Sequence, residues 1–168
     1  LERVGRDRRI TATTTAQPLI THQSIDRLLA GPPLAGPAES LDAHRARLGG
    51  LPDAAAVRDL IDSLEVSGLL GRGGAGFPVG RKWRSLADRK GGRAVVVVNG
   101  AEGEPASFKD RTLMAQRPHL VVDGAILAAH AIGADEVVVY VGAEHGAAVA
   151  AMGRAIEERR RELNRPIR

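Results

Sequence analysis

The chain has 168 residues, of which 43% are hydrophobic and 26% charged, as expected for a soluble globular protein with one packed domain. The net charge is +4, but the arginines are scattered or interleaved with acids and aromatic residues make up 2%, so we predict a solvated surface and no nucleic-acid partner. The lack of cysteine excludes disulfides and an iron–sulfur cluster held by thiolates of this chain, but it does not fix the compartment. No apolar run is long enough to span a membrane and nothing in the sequence points outside the cell, so we expect a cytoplasmic location.

The first 50 residues give few structural signals. The stretch "ITATTTAQPLI" contains β-branched residues typical of a short strand, and residues 31–40 are rich in proline and glycine, as loops and linkers are. We therefore interpret residues 1–50 as a poorly defined N-terminal extension with a linker, and residues 51–168 as the domain.

Residues 52–68 follow the pattern of one amphipathic helix. Asp53 is placed to cap its start, and Gly68 is placed to end it. The apolar side chains that share one helical stripe are Val57, Leu60, Ile61 and Leu64.

A glycine-rich loop, "GLLGRGGAGFPVGRKW", occupies residues 68–83 directly after that helix. The loop contains the pattern G-x-G-x-x-G, at Gly71, Gly73 and Gly76. The dinucleotide fingerprint with this pattern follows a strand, whereas here a helix precedes it, so the ordinary Rossmann interpretation does not apply.

Successive glycine N–H groups can still form an anion-binding nest, and Arg72 and Lys82 add positive charge beside it. The loop therefore indicates a site for a phosphate or for a ring that carries carbonyls. The alternative is a flexible hinge between helix and strand.

Two β-branched runs predict the core of the domain. Residues 93–98 and residues 135–141 have the continuous apolar pattern of strands that are buried on both faces of a parallel sheet. An apolar helix at residues 117–133 connects them, and residues 146–163 form a further helix with a charged end. The order predicts an α/β fold, a Rossmann-like βαβ unit with a small parallel sheet.

The stretch "NGAEGEP", residues 99–105, follows the first strand, where ligands bind in parallel sheets. Asn99 offers both a donor and acceptors, whereas Glu102 and Glu104 are acceptors suited to sugar hydroxyls or an amide. The alternative is a polar turn with solvated acids. The next cluster, "FKDR" at residues 108–111, is most simply solvated or a helix cap.

Other candidate residues carry weaker signals. Phe77 and Trp83 flank the glycine loop, and core packing is the ordinary role for both, although Phe77 is also suited to contact a flavin or nicotinamide. His119 and His130 fall on one face of the apolar helix without a third ligand, so we predict no metal site. No catalytic triad is visible.

Four motifs in chain order resemble those of a known family. Over roughly residues 51 to 163, the chain resembles the flavin-bearing, NADH-oxidising F subunit of bacterial NADH-quinone oxidoreductase, respiratory complex I. The motifs are "SGLLGRGGAGFPVGRKW", "NGAEGEPASFKDR", "PHLVVDGAILAAHAIGA" and "YVGAEHGAA".

The resemblance implies an FMN site beside an NADH site. The positions matching the family's FMN contacts are Gly71, Arg72, Gly73, Gly74, Lys82, Asn99 and Glu102. The positions matching its NADH side are Gly74, Phe77 and Glu104. It further implies that hydride passes from NADH to the flavin without a catalytic side chain, because the cofactor carries the redox chemistry.

The chain departs from the family pattern at particular positions. Ala101 stands where the family commonly has an aspartate that helps to hold the flavin, and Ser85 stands where it often has a phenylalanine. The "NGAE-x-EP" pattern is closer to the C subunit of the Rnf electron-transport complex, a relative that uses NADH and FMN. The "GRGGAGFP" and "FKDR" stretches are closer to the complex I subunit.

The family continues beyond these motifs, with a later flavin-contacting segment, a ubiquitin-like domain and a helical domain whose cysteines hold an iron–sulfur cluster. The resemblance therefore implies an incomplete version of the FMN-binding domain. It implies an iron–sulfur partner subunit or further domains, and attachment to the inner membrane only through a complex. A non-catalytic flavin-binding subunit or a fragment without independent activity remains the alternative.

Overall fold

The computed structural model describes residues 28–72, 75–104, 106–160 and 166–168. The strand predicted in "ITATTTAQPLI" lies outside these residues. Within them, the chain forms seven helices and two strands. These are α1 Leu41–Leu48, α2 Ala54–Arg58, α3 Leu60–Ser67, α4 Val79–Ala87, β1 Val95–Gly100, α5 Lys109–Gln116, α6 Pro118–Ala131, β2 Glu136–Val141 and α7 Gly146–Arg159.

The two strands form a small parallel sheet. Their register runs from Val95 opposite Glu136 to Gly100 opposite Val141. A further parallel bridge joins β2 to the last residues of the chain, between Val137 and Ile167. The α/β fold with a small parallel sheet is therefore confirmed.

Among the residues that the structure describes, only one face of this sheet is covered. Side chains of α5, α6 and α7 pack there with alternate strand residues, and the prediction that both strands are buried on both faces is wrong. The fully buried part of this core consists of Met114, Val122, Ala125, Ile126, Ala129, Ile132, Ala134, Val137, Ala148, Met152, Ala155 and Ile167. On the other face Val95 and Tyr140 are exposed, and Val97 retains 61% of its accessible surface.

Element boundaries differ from the predictions at two places. The helix predicted over residues 52–68 is interrupted at Asp59, which separates α2 from α3 although its backbone angles stay in the right-handed helical region. Its predicted ends are confirmed, since the Asp53 carboxylate accepts the N–H groups of Ala55 and Ala56, and Gly68 is left-handed with φ of 63°. In addition, β1 extends through Gly100, so the first residues of the predicted loop belong to the strand.

Three helices, α1, α4 and α5, were not predicted. Helix α4 contains Lys82, so the prediction that this residue lies in the glycine loop is wrong. Helix α7 ends at Arg159, and the predicted end near residue 163 lies outside the described residues. No described helix has the length and apolarity that a membrane span requires.

Arg117 fastens the N-terminal segment to the domain. Its side chain is among the most buried in the described chain, with 0% relative exposure for the residue. The guanidinium donates to the carbonyls of Leu29, Ala30 and Pro32 at 2.8, 3.0 and 2.5 Å. Arg117 thereby binds the first part of residues 28–40, which form neither helix nor strand, next to the start of α6.

Helix α1 is fixed by a second set of buried charges. Arg47 donates to both carboxylate oxygens of the buried Glu39, each at 2.8 Å. The buried His44 lies with Nε2 2.8 Å from Asp123 of α6, and the guanidinium of Arg159 lies 2.7 Å from the same carboxylate. The division of the chain at residue 50 nevertheless stays a prediction.

We expect acid to destabilise the fold through His119 and Glu39. Burial lowers the pKa of His119 below 6.5, so the unfolded chain takes up a proton that the folded chain resists, and stability falls as the pH drops below 6.5. Burial alone would raise the pKa of Glu39, but Arg47 and nearby cations hold it below 4.5. The ionised Glu39 therefore stabilises the folded chain, and this stabilisation is lost as the pH falls through the lowered pKa.

The check is the unfolding temperature measured from pH 8 down to pH 4. His119→Gln removes the first titration, and its unfolding temperature should change less with pH just below 6.5 than that of the wild type. A wild-type unfolding temperature that is constant or rises over this interval would contradict the expected direction.

Candidate functional site

A polar cleft opens at the carboxyl end of β1. It has a volume of about 430 Å³ and combines strand, loop and helix residues, namely Arg72, Asn99, Ala101, Glu102, Gly103, Glu104, Lys109 and Asp110. Four of the residues predicted to form a site, Arg72, Asn99, Glu102 and Glu104, are brought together here. The cleft lies at the carboxyl end of a parallel strand, which is where ligands bind in parallel sheets.

The glycine loop forms a hairpin that is closed at its base. Leu70 and Pro78 form an antiparallel bridge, and the N–H of Gly71 donates to the carbonyl of Phe77 at 2.9 Å. The N–H of Gly71 is therefore occupied within the loop and is not free for an anion. Gly76, with φ of 59°, takes a conformation that favours glycine. Gly73 and Gly74, predicted to contact FMN, lie outside the described residues.

The packing of α3 against α4 sets the position of this hairpin. A Cβ built on Gly80 would lie 2.6 Å from the backbone nitrogen of Glu65, so the two helices touch where only glycine fits. Arg84 of α4 pairs with Asp62 and, at 3.0 Å, with Glu65 of α3. Because both ends of the hairpin continue into these helices, the place of Arg72 follows from their contact.

Asn99 and Glu104 present free polar groups at the cleft. The Oδ1 of Asn99 accepts the N–H of Ala101 at 3.1 Å, which leaves its amide nitrogen without a partner among the described residues. The carboxylate of Glu104 is exposed and makes no hydrogen bond in the described part of the chain. Arg72 is likewise exposed and has no ion pair there. A donor, an acceptor and a cation are thus open to a ligand.

The Glu102 carboxylate is used within the protein. It accepts hydrogen bonds from the Ser107 hydroxyl at 2.6 Å and from the N–H groups of Asp110 and Arg111 at 3.0 and 3.3 Å. Burial alone would raise its pKa, but these hydrogen bonds and the charge of Lys109 hold the pKa below its usual range. Glu102 therefore caps α5 as a carboxylate.

Lys109 and Asp110 line the cleft although they were interpreted as a solvated or capping cluster. The ammonium of Lys109 lies 2.7 Å from the Asp110 carboxylate, and this hydrogen bond raises the pKa of the lysine. The signal that could have identified them is their place at the start of a helix directly after the polar loop. Ala101 and Gly103, also missed, border the cleft as part of that loop.

Other predicted residues lie away from the cleft walls. Gly71, Phe77 and Lys82 are not among the lining residues, and Lys82 is exposed on α4. Trp83 packs against the core, as expected for an aromatic residue, whereas Phe77 is exposed and its ordinary core role is wrong.

The two histidines of α6 lie in different environments. His119 is buried and His130 is exposed. The described part of the chain contains no group of three or more histidine and acidic side chains that could hold a metal ion.

Residues 64–165 match the Nuo51 FMN-binding domain family. The chain is 40% identical over 104 residues to the NADH-quinone oxidoreductase F subunit of Aquifex aeolicus (strain VF5), and the match covers 62% of this chain and 24% of that protein. It is also similar to an NAD+-reducing [NiFe]-hydrogenase. The crystal structure of the H2-reduced state has 36% identity and a TM-score of 0.56, and the match covers 68% of this chain and 20% of that chain. The air-oxidized state has 30% identity and a TM-score of 0.59, with 78% and 24% covered.

The chain thus spans about a quarter of the length of the curated relatives that it matches, since the covered share is 24% for the Aquifex aeolicus protein. The resemblance to the complex I F subunit is confirmed, whereas the relation to the Rnf complex stays a prediction. Since the family match covers more than half of the chain and includes every lining residue of the cleft, the chain belongs to the Nuo51 FMN-binding domain family.

Proposed function

We propose that the chain is the FMN-binding module of an NADH dehydrogenase of the complex I type. In this function, hydride from NADH is accepted on FMN, and the electrons continue to iron–sulfur centres or quinone through partner chains. The observation that carries the proposal is the cleft at the end of β1, where unpaired groups of Arg72, Asn99 and Glu104 meet within the region of the family match.

The chemistry of these groups fits a flavin nucleotide and a nicotinamide nucleotide. Arg72 supplies a fixed positive charge for a phosphate or a ring carbonyl, and the free amide nitrogen of Asn99 supplies a donor. Glu104 supplies an acceptor for ribose hydroxyls or an amide NH₂. When bound, FMN supplies the redox chemistry, while the chain orients the ligands.

The resemblance adds further contacts to this proposal. Gly71, Gly73, Gly74 and Lys82 are proposed on the FMN side, and Phe77 is proposed on the NADH side with Gly74. The exposed position of Phe77 beside the closed hairpin supports such a contact, because its ring is free to stack.

The proposed electron path must leave this chain. With no cysteine, the chain holds no thiolate-bound cluster, so an iron–sulfur partner subunit or further domains would accept the electrons. We propose a cytoplasmic location, with attachment to a membrane only through such a complex.

A second candidate function is a flavin-binding subunit without independent activity. The observation that favours it is the extent of the chain, which covers 24% of the Aquifex aeolicus relative. In that case the cleft would bind FMN, but NADH would not reduce it.

Titration of FMN into the purified 168-residue chain, followed by flavin fluorescence, separates these functions. We expect quenching on binding, and bleaching near about 450 nm, in the flavin absorption band, after anaerobic addition of NADH. Arg72→Ala should weaken FMN binding about tenfold, because it removes a charge-assisted hydrogen bond. Arg154→Ala, an exposed arginine on α7, is the control and should bind as the wild type does.

Each outcome decides between the functions. Binding with bleaching supports the dehydrogenase module, and binding without bleaching supports the non-catalytic subunit. No binding by the wild type, or equal affinity for the Arg72→Ala variant, would contradict the proposed use of the cleft.

A further inference from the structure

Glu102 borders the cleft, but its carboxylate does not face it. The side chain has only 1% relative exposure, whereas the residue as a whole is half-buried. The part of Glu102 that a ligand can reach is therefore its main chain. This separates Glu102 from Glu104, whose carboxylate is exposed at the same cleft.

Donors of the protein already surround the buried carboxylate. Oε1 accepts from the Ser107 hydroxyl and from the N–H of Asp110, and Oε2 accepts from the N–H of Arg111. The Nζ of Lys109 lies 3.9 Å from Oε1, and the Nε of Arg111 lies 3.5 Å from Oε2. A carboxylate has about four acceptor sites, so little capacity remains for a ligand.

These hydrogen bonds tie the cleft loop to α5. The first N–H groups of a helix have no partner within it, and Glu102 satisfies two of them from outside. The helix is itself anchored on the strand, because the buried Met114 packs so closely on Gly100 that a Cβ there would lie 2.5 Å from its sulfur. Residues 101–104 are thus held at their start by the packing of Gly100 and further along by the hydrogen bonds of Glu102.

We propose that Glu102 is a positioning residue, which sets the cleft-facing geometry of residues 101–104, Glu104 included, through its hydrogen bonds to Ser107 and the first turn of α5. The proposal rests on the function proposed above, and it differs from the direct flavin contact that the family resemblance implies for this position. Ser107 acquires a role that depends on Glu102, although it does not line the cleft.

Ser107→Ala tests the proposal without altering any cleft-lining side chain. In the 168-residue chain, we expect its dissociation constant for FMN to rise about tenfold, because a hydrogen bond to a charged group is lost. Ser107→Thr keeps the hydroxyl and should restore most of the affinity and the visible circular dichroism of the bound flavin. Ser40→Ala is the matched control, because it removes the cap of α1, where Ser40 accepts the N–H of Ala43 at 3.2 Å, away from the cleft.

Combining Ser107→Ala with Glu102→Gln distinguishes positioning from direct contact. If Glu102 acts through Ser107, the double variant should bind FMN no more weakly than Glu102→Gln alone, whereas independent contacts would give additive losses. Additive losses, or an unchanged affinity for Ser107→Ala, would overturn the proposal.

Amide hydrogen exchange of the ligand-free chain gives a readout that does not depend on FMN. Ser107→Ala should speed exchange at Asp110, Arg111 and residues 101–104, and Ser40→Ala should not. If the wild type fails to bind FMN, the proposed function fails, and exchange alone decides whether Glu102 holds the loop. Unchanged exchange in the Ser107→Ala chain would overturn the positioning role.

Discussion

Replacing Arg117 by alanine is expected to lower the free energy of unfolding by about 2–4 kcal/mol, because it removes a buried side chain and hydrogen bonds from a charged donor that contribute roughly 1.5–3 kcal/mol each. The guanidinium is fully buried and donates to three loop carbonyls, those of Leu29, Ala30 and Pro32. Without it these carbonyls lose their hydrogen-bond donor, and each that water cannot reach costs about 1–3 kcal/mol. The loss is a large share of the roughly 5–15 kcal/mol that stabilises an ordinary domain.

Urea unfolding followed by circular dichroism measures this change, with Arg117→Lys as the conservative variant. Lysine keeps the charge but lacks the planar guanidinium, whose N–H groups reach several carbonyls at once, so we expect it to recover only a small part of the lost stability. The matched control is Arg154→Ala, whose exposed side chain should change the stability by no more than about 0.5 kcal/mol. Equal stabilities for Arg117→Ala and Arg154→Ala would show that the buried guanidinium does not contribute to the free energy of unfolding.

Gly80→Ala is expected to weaken FMN binding and to cost about 1–3 kcal/mol of stability, as overpacking does. The added Cβ would lie 2.6 Å from the nitrogen and 2.8 Å from the Cα of Glu65, and backbone atoms cannot move aside as a flexible side chain can. Helix α4 must therefore shift away from α3. The hairpin closed between Leu70 and Pro78 joins these helices, so the shift displaces Arg72 from the cleft.

The measurements are the unfolding midpoint and the FMN dissociation constant of the same preparation. Gly153→Ala on α7 is the control, because a Cβ at this position meets no atom within 4 Å. This substitution should raise the free energy of unfolding by about 0.5–1 kcal/mol, since glycine is unfavourable within a helix. If Gly80→Ala binds FMN with the wild-type dissociation constant, the contact between α3 and α4 does not determine the position of the glycine hairpin.

The elements with long apolar patterns could be predicted from the sequence, and the short polar ones could not. Helix α6 and strand β2 were predicted within two residues of their observed ends. Helix α1 was not, since its sequence has no apolar stripe and its buried residue is His44, whose partner Asp123 lies 79 residues away. A contact between residues so far apart in the sequence produces no pattern in the sequence around either of them.

The same reasoning applies to the site. The place of Asn99 and Glu104 at the end of β1 could be inferred, because loops that follow parallel strands meet at one edge. The burial of the Glu102 side chain could not be inferred, because it depends on hydrogen bonds from Ser107 and from the first turn of α5, which only the folded chain brings to the loop. The open sheet face was missed because a run of valines has the same sequence pattern whether one or two layers cover it.

That open face affects how the chain behaves at high concentration. Val95, Val97 and Tyr140 are exposed on this face, and among the described residues β1 has no strand neighbour other than β2. Two copies that meet along this surface reduce the exposed apolar area of both. We therefore expect self-association through this face to compete with solubility as the protein concentration rises.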